Sequence, residues 1–181
     1  MRYSNRVCLV GFLFITAALA QNNPVSSELR QQYTGVKTDL TKAADRMPDA
    51  DYGFKPEGEQ RTFDQLLTHI ADVQLALCGA AAGEQKRGDA GEKGGKADVV
   101  AALKASFDYC DPLYEGLTDA SASQTVKMFG RDQTKLGTLY FNVIHDNEMY
   151  GQVAVYFRLK NLVPPSTADR AGAGAGRGKK Q

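Results

Sequence analysis

The chain is 181 residues long, 43% hydrophobic, and carries 22 Lys and Arg against 21 Asp and Glu, a formal net charge of +1. That length suffices for one domain with a real core. Its near-neutral balance lacks the basic footprint of a nucleic-acid-binding surface.

The first twenty residues read as an export signal. Arg2 and Arg6 supply a positive start, Val7 to Leu19 is an uncharged apolar run, and Ala18-Leu19-Ala20 offers the small-x-small pattern of a cleavage site. At about 13 residues the run is shorter than the roughly 20 that a membrane-crossing helix needs. An uncleaved anchor is the alternative. Cys8 opens the apolar run and does not sit at the cleavage point, so it does not mark a lipoprotein. The expectation is a periplasmic or secreted protein with no stable membrane anchor after cleavage. Removing residues 1–20 takes Arg2 and Arg6 away and leaves a slightly acidic chain.

Four segments then carry helical periodicity. The first spans Ser26 to Met47, with Leu29, Tyr33, Val36, Leu40, Ala44 and Met47 on one stripe, and stops at Pro48. The polar connection that follows contains Tyr52, Phe54 and Pro56, which predicts a loop packed against the body. Thr62 and Gln65 form a capping box for the second helix, whose inward face reads Phe63, Leu66, Leu67, Ile70, Val73 and Leu77. Gly79 and Gly83 end it. Residues 83–96, rich in Gly, Lys and Glu, predict a flexible connection long enough to span a bundle.

The third helix is expected to start near Asp98 as N-cap and to bury Val99, Leu103, Phe107, Cys110 and Tyr114 or Leu117, with Pro112 ending or kinking it. Residues 118–132, with Phe129-Gly130, read as a turn region. The fourth helix runs from Gln133 to Lys160, its apolar positions marked by Leu136, Tyr140, Val143 or Ile144, Val155, Phe157 and Leu159. Asn161 is a candidate cap, and Pro164-Pro165 prevent continuation. Residues 166–181 are Gly, Ala and Arg/Lys rich and predict a disordered basic tail. With no run of alternating strands and no repeat, the chain reads as signal peptide 1–20, an all-α four-helix bundle over 21–165, and tail 166–181.

The chemistry-bearing residues are few. The two histidines, His69 and His145, each lie on a predicted helix beside acidic residues, in THIADVQ and IHDNEMYGQ. Imidazole is the commonest side-chain ligand for zinc and its neighbours. Helical spacing puts His145, Glu148 and Met149 on one face, and Asp72 with His69 on another. Core or boundary histidines are the alternative. No nucleophile elbow, phosphate-binding glycine loop or complete zinc motif is present. The two mature cysteines, Cys78 and Cys110, permit one disulfide.

The stretch IHDNEMYGQVAVYFRLKNLVPPS, together with TFDQLLTHIADVQ, resembles the DinB-like family of bacterial four-helix bundle proteins, over about Ser26 to Ser166. The resemblance implies an up-down-down-up bundle with a long crossover between its second and third helices. It also implies a His triad holding a divalent metal, zinc or nickel. His69 and His145 match two ligands of that triad, and Met149 stands at the position of the third. Tyr150, Gly151 and Gln152 continue the family pattern. A thioether suits Cu(I) and replaces imidazole poorly on zinc or nickel. Glu148 could restore a set of two histidines and a carboxylate; alternatively Met149 simply fills the cavity as core. The implied parallel course of the second and third helices would bring Cys78 and Cys110 to the same end and into a disulfide. Two activities follow from the resemblance, metal-dependent hydrolysis or transfer of a small thiol, with Glu148 or Asp72 as ligand, outer partner or general base. The non-enzyme alternative is a secreted scaffold for a small ligand or a protein partner, and relatives of this type allow a homodimer.

Overall fold

The computed structural model describes residues 23–92 and 94–177, with side chains described as far as 172. The expected signal peptide, residues 1–20, lies outside the described residues. The chain is built from α1 (Pro24–Arg46), α2 (Phe63–Ala82), α3 (Lys96–Glu115), the single turn α4 (Asp119–Ala122), β1 (Thr125–Met128), β2 (Arg131–Thr134), α5 (Lys135–Leu159) and α6 (Pro165–Arg177). Among the described residues the fold is all-α apart from that one hairpin.

Local chemistry sets most boundaries. Pro24 occupies the first turn of α1, where its missing N–H costs nothing. Met47, the residue before Pro48, is forced into extended backbone (ψ 127°) and ends the helix. The loop beyond is packed down as expected: Tyr52 is buried, its hydroxyl donates to Ala44 O at 2.6 Å, and its ring meets Phe63 edge-on at 5.1 Å. At Thr62 the capping box forms. The Thr62 hydroxyl accepts from the Gln65 amide, and the Gln65 side chain accepts from the Thr62 amide. Gly83 closes α2 at φ +79°, a left-handed conformation that glycine adopts without penalty.

The expected flexible connection after Gly83 is instead strapped to α2. Asp72 Oδ1 accepts from Ala90 N (2.9 Å) and Asp72 Oδ2 from Gly91 N (3.1 Å), and Ala90 is buried. A Cβ at Gly88 would collide with the Asp72 carboxylate, so the backbone approaches closely only because glycine is there. Asp98 is not the N-cap of α3. The helix begins at Lys96 after Gly95, and Lys96 Nζ donates to Asp45 O (2.7 Å) and Met47 O (2.9 Å) at the end of α1. That anchor accompanies a helix start three residues earlier, with Gly95 in place of Asp98 as N-cap.

Side-chain pairs give the helix directions. Gln74 meets Ser106, and one turn on Cys78 meets Cys110, so α2 and α3 run the same way. The two cysteines form a disulfide with Cα atoms 5.6 Å apart. Arg30 donates to Tyr114 O (2.9 Å) while Lys37 pairs with Asp111, which sets α1 opposite to α3. Phe63 packs on Phe157 and His69 on His145, which sets α2 opposite to α5. The core between them holds Leu40, Leu66, Leu67, Ile70, Phe107, Leu139, Val153 and Phe157. Among the described residues no helix is long and apolar enough to cross a membrane.

Three further expectations are corrected. Residues 118–132 are more than turns: a capped single helical turn leads into a two-stranded antiparallel hairpin whose tip is Phe129 (φ 50°) and Gly130 (φ 79°). Two consecutive left-handed residues give the hairpin twist that flanking strands favour. Along α5, Val143 faces inward and Ile144 outward, while Tyr140, Val155 and Leu159 are exposed; Leu139, Tyr150, Val153 and Tyr156 take the buried positions. The tail expected to be disordered from residue 166 is helical from Pro165 to Arg177. Pro165 starts it, the Thr167 and Ala168 amides bond back to Pro164 O, and Lys42 pairs with Asp169 at 2.6 Å.

Candidate functional site

The antiparallel packing of α2 on α5 brings the two histidines together across 76 residues of sequence. His69 Nε2 and His145 Nε2 are 3.3 Å apart, with the rings inclined at 64°. On its other side His145 Nδ1 faces Asp146 Oδ1 at 3.4 Å, a carboxylate placed to orient the ring with Nε2 toward His69. Burial lowers the His69 pKa first, and the nearby Arg61 and His145 lower it further, against an opposing pull from Asp72.

Asp146 is fully buried and anchors a polar layer beneath the pair. With its amide nitrogen turned toward Asp146, Gln74 donates to Asp146 Oδ2 at 2.8 Å and accepts from the Phe107 amide (3.1 Å) and the Ser106 hydroxyl (2.9 Å). Asn142 Nδ2 lies 3.4 Å from Asp146 Oδ2 and 3.1 Å from the Tyr114 hydroxyl, which itself donates to Leu139 O. Tyr114 stacks on Tyr33 at 3.7 Å. Burial pushes the Asp146 carboxyl up to about 6, partly opposed by His145.

The two nitrogens fit one metal ion. With metal–nitrogen bonds of about 2.0 Å, a 3.3 Å separation subtends roughly 110° at the ion. The buried carboxylate behind His145 is the outer partner that ligating histidines usually have. A zinc or nickel triad is not completed, however. Met149 stands one turn beyond His145, 6% exposed, with its Sδ accepting from Gln152 Nε2 at 3.8 Å. Glu148 is exposed, and Asp72 is committed to the strap after α2. Among the described residues no group of three or more His, Cys, Asp and Glu is placed to hold a metal. Tyr150 serves elsewhere: its hydroxyl accepts from the Ser166 amide at the start of α6.

The sequence reading missed Asp146, Gln74, Asn142 and Ser106. A signal for two of them was present, since Asn142 and Asp146 are polar at i and i+4 on a face that should be apolar. Gln74 replaces the expected Val73 as the buried residue of its turn; Val73 is half-buried.

The fold has known relatives. A DinB-like protein from Bacillus cereus superposes with a TM-score of 0.64 at 18% identity, covering 77% of this chain and 95% of that one. A DinB-like protein from Bacillus subtilis gives 0.59 at 18% identity, covering 74% and 92%. A mycothiol-dependent maleylpyruvate isomerase gives 0.57 at 16% identity, covering 71% of this chain and 59% of its own. At such identities these likenesses show the fold alone. Comparison with curated proteins finds no match. The family model of the DinB superfamily matches residues 32–153, more than half of the sequence and both histidines, and the chain belongs to that superfamily.

Proposed function

We propose that this is an exported metal-binding bundle, with His69 and His145 as nitrogen ligands and Met149 at the third ligand position. The observation that carries the reading is the 3.3 Å approach of the two Nε2 atoms, with Asp146 behind one ring. A catalytic divalent ion, when bound, would supply a water of lowered pKa for hydrolysis. Here only two nitrogens are in place to hold it, so binding is the activity the site supports best, with hydrolysis as the finer possibility. Thiol-dependent chemistry, which the mycothiol-dependent isomerase sharing this fold performs, would need a reduced small thiol, and such thiols are scarce outside the cytoplasm. Export itself rests on the character of residues 1–20 and is read out by the N-terminus of the mature protein, expected at Gln21.

The test is calorimetry of residues 21–181 with zinc, nickel and copper in turn. Binding of one equivalent that disappears in His69→Ala is the expected result. The absence of binding by every metal would refute the reading. It would leave the scaffold alternative, favoured by the exposed Tyr140, Phe141 and Ile144 on α5, which predicts concentration-dependent sedimentation through a protein partner or second copy.

A further inference from the structure

We propose that the site between α2 and α5 is selective for copper(I), bound by His69 Nε2, His145 Nε2 and the Met149 thioether. The proposal rests on the reading of the histidine pair as ligands and adds the identity of the metal.

Three observations point the same way. First, the donor set is two imidazoles and one thioether, all neutral. Soft sulfur donors select Cu(I), whereas zinc and nickel gain little from a thioether. Second, the hard ligands that would favour a divalent ion are placed elsewhere. Glu148 is exposed, and both Asp72 oxygens are occupied by the Ala90 and Gly91 amides. Third, the charge behind the site is single. Asp146 is buried against His145, and a half-buried site with one carboxylate in its outer shell suits a monovalent ion better than a divalent one.

Met149 shares a helix face with His145 one turn away and is 6% exposed; its sulfur accepts from Gln152 Nε2 at 3.8 Å, a contact it would exchange for the ion. Its three side-chain torsions let the sulfur adjust to an ion without backbone movement.

The experiment is anaerobic competition for Cu(I) against a chromophoric chelator, with ascorbate as reductant so that the disulfide survives. Zinc affinity is measured in parallel. The wild-type chain should bind one Cu(I) more tightly than zinc, and X-ray absorption at the copper edge should find one sulfur and two nitrogen neighbours. Met149→Ala removes a ligand outright, so its Cu(I) affinity should fall by at least the roughly 10–100-fold that loss of an outer-shell partner costs, while zinc affinity stays put. Met149→His should reverse the preference toward zinc. Unchanged Cu(I) affinity in Met149→Ala, or equal affinities for the two metals, overturns the proposal. If zinc binds through His69 and Cu(I) does not, the copper assignment falls while the metal site stands. If neither binds, both fall.

Discussion

The Cys78–Cys110 bridge joins α2 to α3 across 32 residues, with both sulfurs fully buried. In the chain-entropy description, a loop of that length removes about 12 cal/mol/K from the unfolded ensemble, or roughly 4 kcal/mol at 25 °C. A domain of this size loses about 2–4 °C of melting temperature per kcal/mol, so reduction should lower Tm by roughly 10 °C. Because the bridge is inaccessible in the folded protein, the reduced form is made by unfolding in reductant and refolding with the thiols kept reduced. Differential scanning calorimetry of the oxidised and reduced chains then gives the difference directly. Cys78→Ala with Cys110→Ala should fall further, by about 1 kcal/mol per deleted buried atom, since packing is lost as well. The bridge also lies nine residues from His69, about 13.5 Å along α2. Reduction should therefore leave His69-dependent metal affinity within a few-fold while stability drops. Melting curves that coincide within about 2 °C would refute the entropic account.

Asp146 makes stability depend on pH in an unusual direction. Its carboxyl is raised from 3.8 to about 6 by burial, so between those values the folded state holds a proton that the unfolded state has released. Its contribution is fully present below pH 3.8 and is lost as pH rises through about 6, a swing of roughly 3 kcal/mol. Denaturant midpoints of wild type and Asp146→Asn should converge toward acid and separate toward pH 7, with the amide variant the more stable; parallel profiles would count against it. Asp72→Ala should free residues 84–92 by removing two charge-assisted bonds to backbone amides, each worth about 1.5–3 kcal/mol. Limited trypsin digestion should then cut faster after Lys86 and Arg87; an unchanged rate would mean that the strap is held by something other than Asp72.

Much of the scaffold was legible because long amphipathic helices announce themselves. The stripe from Leu29 to Met47 and the Thr62–Gln65 capping box are local signals, and both survive in the structure. What escaped was decided by tertiary partners. Asp98 is a good N-cap by type, but Lys96 reaches two carbonyls at the end of α1 and moves the start. The glycine-rich connection looks flexible until Asp72 is seen to hold two of its amides. The outer face of α5 carries Tyr140, Ile144, Val155 and Leu159, so an apolar residue on this helix does not by itself mark the inside.

The site shows the same division more sharply. Sequence spacing identified His69 and His145 as chemistry but could not show them meeting, because their contact depends on how α2 lies against α5. The residue that gives the pair its character, Asp146, is one that stability alone would not place there. A buried carboxylate costs free energy unless its charge is answered, and Gln74 and Asn142 must be buried with it to answer that charge. An apolar layer of similar volume would pack at least as well at this level of the bundle. Positions that break the pattern of a core without a stabilising return are where function is to be sought. Met149 is the converse case. It obeys the core pattern so well that its spacing alone reads as filler, and only its place one helical turn from His145 connects it to the metal site proposed above.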